Sequence, residues 1–164
     1  MVHSGNVIKI DDKDKLILKL LQEDANISLR DMEKEFENQT GEKFSTTAIR
    51  ARLNKLKESN VIRKSITLID CHRLGYKEMV MASLRINSSQ PLEDVKQKLD
   101  KMVEIKYAYV ITGDYPIFIM AKCLDHVDAI HLIENLRNLP GVEEVKTQVV
   151  LDRIKEDPTI MIPD

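Results

Sequence analysis

Apolar residues recur three times at helical spacing along the first third of the chain. Leu16, Ile17, Leu20 and Leu21 form an i, i+1, i+4, i+5 stripe behind Asp11 or Asp12, either of which suits an N-cap, and residues 23–26 end it. Ser28 then caps a second stripe of Leu29, Met32 and Phe36, with Asp31 placed as in a short capping box, and the polar run Asn38 to Gly41 breaks it. Ser45 or Thr46 opens a third stripe of Ile49, Leu53 and Leu56, closed by Ser59 and Asn60. Each stripe is narrow, so three such helices bury their apolar sides only against one another. The run Val61 to Asp70 is rich in β-branched residues with Arg63 and Lys64 early in it, which predicts a strand pair, a wing.

The rhythm then changes. Strands are predicted over Met79–Ile86, Tyr107–Ile111, Ile117–Leu124 and Val142–Leu151. Helices fit Leu92, Val95, Leu99 and Met102, and then Ile130, Ile133 and Leu136. A polar turn, Asn87 to Pro91, follows the first strand. The order β-α-β-β-α-β is that of a ferredoxin-like domain, so the fold class is α+β: an N-terminal winged helix-turn-helix and a C-terminal βαββαβ domain. Expected boundaries are residues 1–65 for the first domain, 66–76 for a linker strand or hinge, 77–154 for the second domain and 155–164 for a tail. Such a sheet carries helices on one face only, yet Met79 and Met81 on one side and Val80 and Ala82 on the other are all apolar. A second copy is the expected cover, giving a homodimer through sheet faces. For the tail two readings stand: it wraps a neighbour, or it hangs loose.

Charge sharpens the picture for the third helix. The chain carries a net charge of −2, but residues 45–64 hold Arg50, Arg52, Lys55, Lys57, Arg63 and Lys64 against Glu58 alone, a local net charge of +5. The flanking stretches are each net acidic. At about 100° per residue, Thr47, Arg50, Ala51, Asn54 and Lys55 fall away from the apolar line. That mixture suits a major groove, where Arg pairs with guanine, Asn with adenine and a small Ala lets the backbone approach. Ser45 and Thr46 sit where free N–H groups meet a phosphate, and Arg63 and Lys64 lie beside the DNA backbone. A plain solvated helix is the alternative, but it would intersperse more acids. Double-stranded DNA is therefore the expected partner, and two symmetry-related copies suit a palindromic site.

The remaining composition excludes more than it adds. Two cysteines, Cys71 and Cys123, far apart, make neither a disulfide scaffold nor a zinc site. His126 and His131 are five residues apart, His3 and His72 stand alone, and no His-Glu-x-x-His or Gly-x-Ser-x-Gly motif occurs, so no metal ligands or catalytic residues are assigned. Cys123 reads as core. Tyr107, Tyr109 and Phe118 read as packing, because their strands lack the cations an RNA-stacking sheet needs. No apolar run approaches the roughly 20 residues of a membrane span, and residues 1–10 lack a secretory pattern, so a cytoplasmic chain with no membrane contact is expected.

Ile10 to Ala25 resembles the opening helix of the Lrp/AsnC (feast/famine) regulators, and Thr47 to Ile62 resembles their recognition helix and following strand. Leu74-Gly75-Tyr76 matches the family's hinge end, Thr112-Gly113-Asp114-Tyr115 its effector loop, and Leu139-Pro140-Gly141-Val142 the approach to the last strand. The likeness spans Ile10 to Ile154, and the second domain corresponds to the family's RAM domain. It implies a transcription regulator whose dimers assemble further, often to octamers, with an amino-acid effector in place of any cofactor. By the same likeness the effector lies against Thr112, Gly113, Asp114 and Tyr115 and against Thr147 of the last strand. Asp114 is suited to an α-ammonium and the N–H groups near Gly113 to a carboxylate. Two departures stand out: several additional residues around Asn38 to Phe44, and Pro116 where the family commonly has aspartate. Some relatives are instead sirohaem-type decarboxylases, an alternative that the cationic residues 45–64 disfavour.

Overall fold

Three capped helices open the computed structural model, which describes residues 9–87 and 92–163. α1 (Asp12–Glu23) starts from a reciprocal cap: the Asp14 N–H donates to the Asp11 carboxylate at 2.9 Å, and the Asp11 N–H to the Asp14 carboxylate at 3.3 Å. In α2 (Leu29–Thr40) the Ser28 hydroxyl accepts from the Asp31 N–H at 3.1 Å, and in α3 (Thr46–Glu58) Ser45 accepts from the Ala48 N–H at 3.3 Å. The stripes meet as expected. Ile17, Leu20, Met32, Phe36, Ile49 and Leu56 are all at most 4% exposed and form one cluster.

α2 runs further than its polar end suggested. Asn38 to Thr40 remain helical until Gly41, at φ +72° and with its N–H donating to the Glu37 carbonyl at 2.9 Å, turns the chain out. The additional residues before α3 are stapled to the core: the Phe44 ring lies 4.9 Å from that of Phe36, with Lys13 Nζ 4.9 Å from its centroid. Asn60, at φ 58°, ends α3 as expected.

The wing does not form as a strand pair. Val61 and Ile62 pack on the helical core, but residues 63–70 carry no regular structure or ladder partner, and Ile66, Leu68 and Ile69 are 58–66% exposed. A β-branched run becomes a strand only when another strand meets its N–H and C=O groups, and no strand of the described residues does so.

The chain divides into two compact units, residues up to Leu68 together with those from Asp157, and Ile69–Glu156. The second unit holds β1 (Glu78–Ile86), α4 (Leu92–Asp100), β2 (Ile105–Val110), β3 (Ile117–Cys123), α5 (His126–Arg137) and β4 (Val142–Val149). The β-α-β-β-α-β order is as predicted, and the antiparallel sheet has strand order β2-β3-β1-β4. The turn expected over Asn87–Pro91 lies from residue 88 onward outside the described residues, as does His3. Val80, Ala82, Leu84, Ile117, Ile119, Ala121 and Cys123 alternate onto the face covered by α4 and α5, where they bury Val95, Leu99, Leu132 and Leu136. Met81, Phe118, Met120, Tyr107 and Tyr109 occupy the other face, the two tyrosine rings stacked at 6.2 Å and about half exposed. The tail, expected either to wrap a neighbour or to hang loose, is docked in the first unit: Gln22 makes two hydrogen bonds to the backbone of Ile160.

Candidate functional site

α3 is anchored from one side and free on the other. Arg52 Nη1 donates to both Asp11 carboxylate oxygens, at 2.7 and 2.6 Å, and to Asp14 Oδ1 at 2.7 Å, with Asp14 only 2% exposed. The bond to Asp14 is the main reason the Arg52 guanidinium is held above its ordinary value. Burial pushes the Asp11 carboxyl up, but the Asp14 N–H and Arg52 outweigh it and hold it below the ordinary aspartate range. One of the cations counted in residues 45–64 is thus spent inside the protein, bracing α3 against the start of α1.

The others are not. Thr47, Arg50, Ala51, Asn54 and Lys55 are all exposed, as are Ser45, Arg63 and Lys64, while Thr46 is half-buried. Arg50, Lys55, Lys57, Arg63 and Lys64 have no ion pair among the described residues, nor has Arg30 of α2, whereas Lys13, Lys15 and Lys34 on α1 and α2 each meet a carboxylate within 3.4 Å. Of the α3 cations only Arg52 is paired among the described residues, whereas a helix face stabilised by its own charges would pair more of them, as Lys15 and Lys34 are paired at i, i+3. The Ser45 hydroxyl is committed to its cap, which leaves the N–H groups of Thr46 and Thr47 at the helix start without intrahelical partners.

In the second unit the loop 111–116 joins β2 to β3 at the end of the sheet, closed by the Ile111 N–H donating to the Pro116 carbonyl at 2.9 Å. Gly113 sits at φ +113°, a conformation that excludes side chains, and Thr112, Gly113 and Asp114 are exposed. The Asp114 carboxylate has no hydrogen bond or ion pair among the described residues. Tyr115 turns back toward the uncovered face, with Lys146 Nζ 4.0 Å and the Arg85 guanidinium 5.8 Å from its ring centroid. Contact with Tyr115 is the main reason Lys146 is held above the ordinary lysine value. Arg85 is matched by Glu144 at 2.6 Å and Glu143 at 3.4 Å, but Lys146 has no carboxylate partner among the described residues.

Thr147 does not join this group. It pairs in register with Ala82, on the helix-covered side, whereas Lys146 pairs with Ser83 on the side of Tyr115. The strand alternation that brings Lys146 to the loop turns Thr147 away from it. Arg85 and Lys146 were missed by sequence reasoning because only the β1–β4 register reveals that they face Tyr115. No group of three or more His, Cys, Asp or Glu among the described residues is placed to hold a metal ion.

Residues 79–160 match the family description "Lrp/AsnC ligand binding domain", and residues 15–67 match "Ribonuclease R winged-helix domain". The chain is 32% identical to the HTH-type transcriptional regulator FL11 of Pyrococcus horikoshii over 149 residues, 91% of this chain and 94% of that one. It is 30% identical to the regulatory protein AsnC of Haemophilus influenzae, covering 93% of this chain and 90% of that one. Its fold superposes on the structure of E. coli AsnC with a TM-score of 0.83 at 25% identity, over 93% of this chain and 99% of that one. These relatives are regulators, and the decarboxylase alternative finds no support among them.

Proposed function

The chain belongs to the Lrp/AsnC family of transcriptional regulators, and on that footing we propose that it reads duplex DNA with the outer face of α3 and adjusts that binding to a free amino acid. The observation that carries the first half is the division of labour on α3. Arg52 is locked to Asp11 and Asp14, while Arg50, Asn54 and Lys55 stand exposed, the two cations unpaired. Arg50 and Asn54 are one helical turn apart and suit adjacent base edges; Lys55, Arg63, Lys64 and the free N–H groups at Thr46 and Thr47 suit phosphates.

For the effector, Asp114, whose carboxylate has no ion pair among the described residues, precedes Tyr115 in the loop, and Lys146, which has no carboxylate partner there, lies 4.0 Å from the Tyr115 ring centroid. Opposite charges on residues next to an aromatic ring complement the α-ammonium and α-carboxylate of an amino acid, with the ring left for its side chain. Thr112 and Gly113 supply backbone groups to the same loop, and Thr147 is left out of the reading. The uncovered sheet face with Met81, Phe118, Met120, Tyr107 and Tyr109 supports a homodimer, which assembles further toward an octamer. Among the described residues no helix is long and apolar enough to cross a membrane, and a cytoplasmic site of action follows from a DNA target.

Selection of duplexes from a random library by the full-length protein tests the reading. Enrichment of a palindrome with half-sites about one helical turn apart is expected, and Arg50→Ala abolishes the enrichment. A library that returns no preferred sequence refutes it.

A further inference from the structure

The chain passes from the sheet unit back to the helical unit at its C-terminal end, so the two units are joined by two stretches of chain rather than one. The returning segment is held at both ends. At its root, Glu156 accepts from Lys122 at 2.8 Å and from Arg153 at 2.9 Å, and the same two cations lie 3.5 and 3.4 Å from the Cys71 sulfur. At its far end, the Gln22 amide of α1 donates to the Ile160 carbonyl at 3.0 Å and accepts from the Ile160 N–H at 2.9 Å. One side-chain amide thus satisfies both backbone groups of one residue, as a neighbouring strand would.

Between these points the segment is bent in advance. The Asp157 carboxylate accepts from the Thr159 N–H at 2.9 Å and from its hydroxyl at 2.8 Å, and Pro158 fixes the backbone between them. Preorganisation lowers the entropy lost on docking. Ile160 and Met161 remain 74% and 91% exposed, so little apolar burial adds to the Gln22 clamp and the segment is easily displaced.

We propose that Asp157–Pro163 is a releasable strap on the DNA-reading unit. α1, to which it docks, is tied to α3 through the Arg52 bridge to Asp11 and Asp14. The strap is therefore a second connection to the reading unit, beside the chain that leaves α3, and its release leaves that unit joined by one stretch of chain. A restrained unit loses less orientational freedom when it binds DNA, so release weakens specific binding on the order of threefold to tenfold. The functional part rests on the DNA-reading assignment; the docking itself does not.

The chain has no tryptophan, so Met161→Trp supplies a single reporter in the full-length protein. Time-resolved anisotropy is expected to show restricted local motion in this parent, and nanosecond freedom once Gln22→Ala or Ile160→Pro, which deletes the donated N–H, is added. Unchanged urea midpoints are the check that both variants fold. Equal local motion in the parent and both variants overturns the strap. So does an anisotropy that falls when the parent exchanges with excess Gln22→Ala chains, because the segment then docks on a second copy. Titration of a selected duplex is expected to show the weakened binding in both variants. A docked tail whose release leaves affinity unchanged overturns the regulatory role, whereas a parent that binds no DNA at all refutes the DNA-reading assignment and leaves the anisotropy result standing.

Discussion

Replacing Arg52 with alanine should unfold the helical unit early without removing a DNA contact. The substitution deletes three charge-assisted hydrogen bonds and leaves the Asp14 side chain, 3% exposed, as an unpaired carboxylate. Removing one partner of a buried ion pair costs about 3–5 kcal/mol. The Arg52 side chain is 27% exposed and that of Asp11 50%, so screening brings the expected loss to about 2–3 kcal/mol. Loss of the guanidinium 5.5 Å from the Phe44 ring adds about 0.5 kcal/mol. With a urea dependence near 1.5 kcal/mol per molar for a unit of this size, the midpoint falls by about 2 M. The chain carries its own separate probes. All four tyrosines lie in the Ile69–Glu156 unit, so tyrosine fluorescence follows that unit alone, while ellipticity at 222 nm follows the helices of both. Arg52→Ala should therefore shift the 222 nm curve and leave the tyrosine curve in place. If the 222 nm midpoint stays within about 0.3 M of the parent while DNA affinity falls, Arg52 faces the duplex and the bracing role is wrong.

Acid should act on the same bridge. Asp11 has its folded-state pKa below 3.8, so its stabilisation is complete above the unfolded value and is lost as pH falls through the folded one. The parent should lose more stability between pH 5 and 3 than Asp11→Asn, and equal losses in urea titrations at the two pH values would refute the assignment. The cysteines should differ sharply toward iodoacetamide at neutral pH. Burial raises the Cys71 thiol, but Arg153 and Lys122 more than offset it, whereas burial pushes Cys123 up to about 11. Mass spectrometry should find Cys71 alkylated first, and preferential labelling of Cys123 in the folded protein would contradict the geometry. Asp114→Ala should leave DNA binding intact while abolishing any thermal stabilisation by amino acids in a screen of all twenty, and a variant that keeps the parent's response misplaces the effector site.

Much of this was legible from spacing alone. Period-3.6 stripes located all three helices of the first unit, because each must bury one side, and short apolar, β-branched runs between turn residues located the four strands. Caps were legible at Ser28 and Ser45 for the same local reason. What failed was whatever depends on a partner distant in sequence. Val61 to Asp70 has strand composition, but composition supplies no neighbouring strand. Asn38 to Thr40 failed for a local reason: its polar composition suggests a break, yet α2 runs on to Thr40 and ends only at Gly41, in the left-handed conformation. Arg52 counted as one more cation for DNA until α1 placed two carboxylates against it. The resemblance supplied the loop at Asp114, but the face on which Thr147 lies depended on a register with Ala82 that no motif encodes.

The central claim, that paired and unpaired cations of the helical unit do different work, is tested most directly by the salt dependence of binding to a selected duplex. Each phosphate neutralised contributes about −0.9 to the slope of log Kobs against log salt. Lys55→Ala and Lys64→Ala, which remove unpaired cations, should each make the slope shallower by about one. Lys13→Ala removes a cation held 2.8 Å from Glu42 and should leave the slope unchanged. Binding indifferent to salt, or equal slopes for Lys55→Ala and Lys13→Ala, would contradict the account.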